Sequence, residues 1–292
     1  MDLSFYWVDV FADEALTGNP LPLVPDAGQL TVDSMRAITR EFNQSETTFL
    51  VKPSRAGADY RLRSFTPGGV EVLGAGHNAM GAWIWLASSG LLPAHRSDFS
   101  QQIGDEVLPV RIDRNGPRAV VTMRQSPAVF LKKVEDREAL AAALGLASGE
   151  TDPFGAAEVV STGAEHLLVR LVSSVAVDSA VPDSAELKRL LAFHGAEGCY
   201  VYSIEDRGDG IDAYARFFNP TVGIVEDPAT GTAAGPLAAV LVRDGLVRGD
   251  ARIVIEQGRR LGRPSRIGLS VDGPLVTITG TGIVAAEGVL HL

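Results

Sequence analysis

The apolar positions of this chain fall mostly in short runs, punctuated by Gly, Pro, Asn and Asp, and such runs predict strands. In the first half they cover residues 3–11, 21–24, 47–51, 60–65, 71–73, 107–113 and 118–124. The turn Thr17-Gly18-Asn19-Pro20 separates the first pair and Arg114-Asn115-Gly116-Pro117 the last. One amphipathic helix is predicted: Thr31 or Asp33 can cap it, it runs through Arg40, and Met35, Ile38 and Phe42 lie on one face. Two further segments have a different character. Residues 79–89, with Trp83 and Trp85, and the Ala, Leu and Val run after Gly231 carry almost no charge. A helix that is apolar all round is buried all round.

The second half repeats the order. A short helix is expected over 136–146 and another over 184–193, with strands at 159–161, 166–171, 198–204, 213–218, 253–256, 267–271 and 276–279. Landmarks recur at an offset of about 150 residues, near half the chain. Thr17-Gly18 matches Thr162-Gly163, Thr48 to Val51 matches Cys199 to Tyr202, and Arg63-x-Phe65-x-Pro67 matches Arg216-x-Phe218-x-Pro220. Gly76-His77 before one apolar helix matches Gly231-Thr232 before the other. A duplication follows: two pseudo-symmetric domains of mixed α/β (α+β) class, drawn at 1–126 and 127–292, each wrapping strands around its own apolar helix. The domain that takes the C-terminal strand is left open. In such a pair, two helix N-termini can face one cleft.

Composition narrows the function. The chain has 292 residues and a formal net charge of −10. Only Arg259, Arg260, Arg263 and Arg266 cluster, so a nucleic-acid partner is not expected. The start, MDLSFYWVDVF, carries Asp2 and Asp9 and no basic segment, and no apolar run reaches spanning length. A cytoplasmic protein without membrane attachment is expected. The single cysteine, Cys199, allows no disulfide and reads as a core residue.

Candidate chemistry gathers at the starts of the two apolar helices. A helix start offers N–H groups and a positive dipole end, which favour a carboxylate or phosphate. Gly74-Ala75-Gly76-His77-Asn78-Ala79 fits G-x-G-x-x-A, the dinucleotide fingerprint. The alternating β-α-β order is missing around it, and no strand is visible near Ser97-Asp98 to carry the usual acidic residue. None of the five histidines stands at metal-ligand spacing. His77 lies where an apolar helix begins and reads either as a capping residue or as a substrate contact and proton carrier. Glu46 enters an apolar strand from a polar run. A solvated strand-end carboxylate is the commoner fate, but at a dry cleft it can take and return a proton near neutral pH. Asp227, at the other helix start, reads as a cap or as a second acid.

Together these residues resemble a family. Residues 5–11 with Thr17-Gly18-Asn19-Pro20, then Gln44-Ser45-Glu46-Thr47, Arg63-x-Phe65-Thr66-Pro67, Gly76-His77, Phe218-x-Pro220, Glu226-Asp227-Pro228-Ala229-Thr230-Gly231, and Glu256-Gln257-Gly258 with Gly262-Arg263-Pro264-Ser265 are similar to the phenazine-biosynthesis PhzF family. The matches run in order over nearly the whole chain. The resemblance implies the diaminopimelate-epimerase-like fold, two domains that are each a barrel-like, largely antiparallel sheet around a central helix. It also implies a cofactor-free isomerase of a small carboxylated, amino-acid-derived substrate, often a homodimer, in natural-product biosynthesis. The family's acid/base glutamate falls on Glu46, its helix-start glycine and histidine on Gly76 and His77, and its aspartate on Asp227. Gly76, Asn78, Gly231 and Thr232 are then the substrate-binding residues, Thr232 keeping the hydroxyl of a serine common there. No metal is called for. Three positions depart from the pattern: the longer Pro67 to Glu71 spacing, Gly74 in place of an aromatic residue, and Asn78 after the histidine. All lie at one rim, which leaves the substrate open.

Epimerases of this fold that act through two thiols need two cysteines, and this chain has one. The expected chemistry is therefore a proton moved by Glu46, with Asp227 as helper. A carboxylate-binding protein that kept the cleft without the chemistry is the alternative.

Overall fold

The computed structural model describes residues 1–147, 149–152, 155, 157–204 and 209–292. They form two compact units, Met1–Arg124 with Thr279–Leu292, and Gln125–Ile278. The boundary drawn at 126/127 leaves the domain of the C-terminal strand open. In the structure the C-terminal stretch belongs to the first unit.

The first unit runs β1 Asp2–Val10, β2 Asn19–Val24, α1 Val32–Phe42, β3 Thr47–Val51, β4 Tyr60–Phe65, β5 Glu71–Val72, α2 His77–Ser88, β6 Asp98–Ile103, β7 Glu106–Asp113 and β8 Val120–Arg124. β1 pairs antiparallel with β2, β2 parallel with β3, β3 antiparallel with β4, and β4 antiparallel with β5 and parallel with β6. β6, β7 and β8 follow as an antiparallel meander. Each parallel pair needs a crossover, and α1 and α2 supply the two. α1 is capped as expected: Thr31 Oγ1 accepts from Ser34 N–H, and Asn43 ends the helix in the left-handed region.

α2 is the centre of its unit. Every residue from His77 to Leu86 is buried. Trp83 is wholly inaccessible, packs edge-on against Tyr60 at 5.6 Å, and donates from its indole N–H to Gln101 Oε1 at 2.8 Å. The expected helix 79–89 thus begins two residues earlier, at His77 itself.

The second unit continues with β9 Val129–Val134, α3 Arg137–Ala143, β10 Ala157–Ser161, β11 Glu165–Arg170, α4 Ser174–Ser179, α5 Ser184–His194, β12 Gly198–Ser203, β13 Ala213–Asn219, β14 Ile224–Asp227, α6 Gly231–Arg243, β15 Ile253–Gln257, β16 Ser265–Asp272 and β17 Leu275–Gly280. Its pairings repeat those of the first unit. β10–β11 is antiparallel, β11–β12 parallel, β12–β13 and β13–β14 antiparallel, β13–β15 parallel and β15–β16 antiparallel. The first unit lacks a counterpart to β9 until the last strand, β18 Gly282–His291, pairs antiparallel with β1 as β9 pairs with β10. Even the irregularities correspond: the register shifts at Trp7/Val8 against β18 and at Val159/Val160 against β9.

The repeat extends to side chains. Arg63 on β4 holds Glu71 bidentately, both contacts at 2.7 Å, with its guanidinium 5.2 Å from the Phe65 ring. Arg216 on β13 holds Glu226 bidentately at 2.9 and 2.8 Å, with its guanidinium 4.9 Å from the Phe218 ring. Among the described residues no helix is long and apolar enough to cross a membrane.

Candidate active site

In the first unit, chain direction places Glu46. α1 stops at Asn43, whose N–H bonds back to Thr39 O at 3.0 Å, and Gln44 and Ser45 turn the chain into β3. Glu46 therefore stands directly before the buried strand Thr47–Val51, with its side chain 17 % exposed. His77 is the first residue of α2. Its Nδ1 is 3.8 Å from Glu46 Oε2, and its side chain is 8 % exposed. Its Nε2 is buried and has no hydrogen-bond partner among the described residues. Carboxylate and imidazole, 31 residues apart in sequence, thus lie side by side, with the second ring nitrogen buried.

The loop before α2 is organised from within. Asn78 is buried. Its Oδ1 accepts the Gly76 N–H at 2.8 Å, and its amide donates to Gly74 O at 3.0 Å and Ser64 Oγ at 3.1 Å. Asn78 was expected to bind substrate. The structure places it as the clamp of the Gly74–Gly76 turn, and the Gly76 N–H, expected at a carboxylate, is taken by that clamp. The donors a helix leaves without intrahelical acceptors here are those of its first turn, beginning at His77. The rim departure at Pro67–Glu71 is a closed hairpin turn: Thr66 N–H donates to Val70 O at 3.0 Å and Gly69 N–H to Thr66 O at 2.8 Å. Gly69 has a φ of +81°, which suits glycine.

In the second unit, Asp227 ends β14 and is 4 % exposed. It does not cap α6; Thr230 stands at the N-cap position, and its hydroxyl turns back to Asp227 Oδ2 at 2.6 Å. Gln257 governs this turn. Its amide donates to Asp227 O at 2.7 Å and Thr230 Oγ1 at 3.1 Å, and its Oε1 accepts from Thr230 N–H at 3.0 Å and Tyr200 O–H at 2.9 Å. Thr230 Oγ1 accepts from Gln257, so its one hydrogen goes to Asp227, and Asp227 Oδ2 is an acceptor. Burial, and then the Asp227 charge, push the Tyr200 hydroxyl well above its ordinary pKa, so it remains a donor. Gly258 follows with φ +80°; a Cβ there would come 2.3 Å from Arg263 O and 2.5 Å from Pro228 O. Ser265 Oγ completes the brace 3.0 Å from Pro228 O. The two sequence blocks 226–231 and 256–265 are therefore one structure.

Thr232, in the first turn of α6, is half-buried, and its Oγ1 lies 3.2 Å from His166 Nε2. Gly231 is buried beside it, its carbonyl accepting from Gln125 Nε2 at 2.8 Å. His166, Gln257 and Tyr200 were not singled out from sequence as site residues. The available signals were a histidine heading the apolar run His166 to Val169 and the glutamine inside the quoted block. Cys199 is buried in β12, and burial pushes its thiol up to about 12, so it is not a thiolate near neutral pH.

The profile of the family described as phenazine biosynthesis-like protein matches residues 8–288. The trans-2,3-dihydro-3-hydroxyanthranilate isomerase of Pseudomonas aeruginosa is 34 % identical over 290 residues, covering 98 % of either chain. The uncharacterized isomerase YddE of Salmonella typhimurium is 31 % identical, covering 97 % of either. Among solved structures, a phenazine biosynthesis protein of the PhzF family from Bacillus anthracis superposes with a TM-score of 0.91 at 25 % identity, over 100 % of both chains.

Proposed function

We propose, for a chain that belongs to the phenazine biosynthesis-like family and is an isomerase, that Glu46 is the general acid and base of a cofactor-free proton shift. The carboxylate removes a proton from an acidic carbon of a small carboxylated, amino-acid-derived substrate. The electron pair moves through the adjacent double bond, and Glu46 returns the proton at another carbon of the conjugated system. One C–H bond breaks and one forms, the double bond moves, and no electrons are gained or lost.

The observation that carries this reading is the Glu46–His77 pair: a carboxylate 3.8 Å from an imidazole, both largely shielded from water. General acid–base catalysis needs such a group held within reach of the proton it moves. His77 orients the substrate through Nε2 or shares the proton. Gly231 and Thr232 bind the substrate carboxylate at the start of α6, where the dipole favours it. Asp227, held by Thr230 and Gln257, is a helper. Gly76 and Asn78 shape the turn that presents His77.

The relatives' name supplies the compound to try first, trans-2,3-dihydro-3-hydroxyanthranilate, a cyclic amino-carboxylate with the required conjugation. The context proposed is natural-product biosynthesis. The test is proton NMR in heavy water: the protein should convert this compound, or a related cyclic amino-carboxylate, with deuterium at one carbon. Tight binding of such compounds with neither conversion nor incorporation would instead identify a carboxylate-binding protein.

A further inference from the structure

His166 is a buried histidine that the proposed proton shift does not use. It lies on β11, is 2 % exposed, and stands edge-on to the Phe217 ring at 5.0 Å and 83°. Its Nε2 is 3.2 Å from Thr232 Oγ1. Its Nδ1 is buried with no hydrogen-bond partner among the described residues. Burial lowers its pKa to about 4, so near neutral pH the ring carries one N–H.

That single hydrogen has two places to be. At Nδ1 it would be a buried donor without an acceptor. At Nε2 it meets Thr232 Oγ1, and Nδ1 is left with a lone pair only. Orphaned buried N–H groups are rarer than under-satisfied acceptors, so the Nε2–H tautomer is the one the surroundings favour. Its consequence falls on Thr232. The hydroxyl oxygen accepts from His166, so its own hydrogen points elsewhere. Thr232 is half-buried in the first turn of α6, so the hydroxyl hydrogen can reach a ligand. Its β-branch also restricts the rotamer.

We propose that His166 is a positioning residue that fixes the Thr232 hydroxyl as a donor and thereby selects an anionic oxygen, a carboxylate, at the start of α6. This rests on the reading of that helix start as a carboxylate seat. It also gives a preference: a ligand oxygen meets a hydroxyl hydrogen that is free to donate, whereas a donor such as an ammonium has only the one remaining lone pair to meet.

Two measurements test it. In uniformly 15N-labelled protein, long-range 1H–15N spectra of the histidine rings, with His166 assigned by its loss in His166→Gln, should show Nε2–H at pH 7 and no titration down to pH 5. An Nδ1–H pattern, or titration near the free-histidine value, overturns the proposal. The second is calorimetric binding of benzoate as the probe. His166→Leu and Thr232→Val should each weaken it about fivefold or more, the double variant no further, and His166→Gln, which places a donor near Nε2, should restore most of it. Additive losses overturn the proposal, because His166 would then not act through Thr232. An Nε2–H ring in a wild-type protein that does not bind benzoate would leave the hydrogen bond standing and remove the carboxylate seat, overturning the selectivity.

Discussion

At the scale of single residues, the site depends on buried polar groups that are satisfied by one another. Gln257 makes four hydrogen bonds, to Asp227 O, Thr230 Oγ1, Thr230 N–H and Tyr200 O–H. Gln257→Leu keeps the volume roughly and strands those partners, each unsatisfied group costing about 1–3 kcal/mol. We expect a loss of at least about 3 kcal/mol in urea unfolding, with Asp227 released from its fixed orientation. His166 gives a pH signature. Its pKa falls to about 4 on folding, so between that value and the unfolded 6.5 the unfolded chain binds the extra proton. The His166 contribution is therefore present above pH 6.5 and is lost as pH falls toward 4, by roughly 3 kcal/mol in all. His166→Gln should flatten that part of the stability profile; an unchanged slope between pH 7 and 4.5 would contradict it. Glu46, His77, Asp227 and Thr232 could be named as candidates from the sequence because each stands at the edge of a recognisable element, inside or beside a block that resembles the family. His166 and Gln257 were not, because the partners that make them matter lie 66 residues away for His166 and 27 to 57 residues away for Gln257, and only tertiary packing brings them close.

At the scale of elements, the two central helices are held by different means. α2 is tied to β6 by the Trp83–Gln101 hydrogen bond as well as by packing. Trp83→Phe removes the donor and leaves a space, and we expect a loss of roughly 2–4 kcal/mol in denaturant unfolding. The repeated Arg–Glu pairs offer a comparison within one chain. Arg216 and Glu226 have side chains only 7 % and 9 % exposed, and Arg216 Nη1 also donates to Val177 O and Ala180 O at 2.9 and 2.8 Å. Arg63 and Glu71 are more open, at 19 % and 30 %. Breaking a buried pair from one side costs about 3–5 kcal/mol, an exposed one about 1 or less. Arg216→Met should therefore destabilise clearly more than Arg63→Met; equal losses would contradict the burial argument. Apolar runs bounded by Gly and Pro were readable as strands. β6 was missed because Asp98-Phe99-Ser100-Gln101-Gln102-Ile103 is mostly polar, yet Gln101 and Gln102 are buried with their amides hydrogen-bonded. β18 was missed because one face of Gly282–His291, Gly282, Val284, Ala286, Gly288 and Leu290, is mostly Gly and Ala, and so gives only a weak strand signal in sequence.

At the scale of the whole molecule, the chain is two copies of one strand order, with the first strand of the first copy supplied by the last strand of the chain. β18 runs along β1 from Asp2↔His291 to Val10↔Gly282. A chain ending before Gly282 would leave β1 without that partner, and we expect it to lose cooperative unfolding of the first unit and to become protease-sensitive there. An unchanged melting curve would contradict this. The offsets between repeated motifs were enough to infer a duplication, but the side to which the final strand belongs is a matter of pairing register, which the run of residue types does not reveal.

The proposed proton shift turns on Glu46. With a substrate that the wild-type protein isomerises in heavy water, Glu46→Gln should bind it within about threefold of wild type and lose deuterium incorporation by at least about a hundredfold, the lower end of what a positioned acid or base contributes. Incorporation at the wild-type rate in that variant would contradict the central claim and pass the proton to another group.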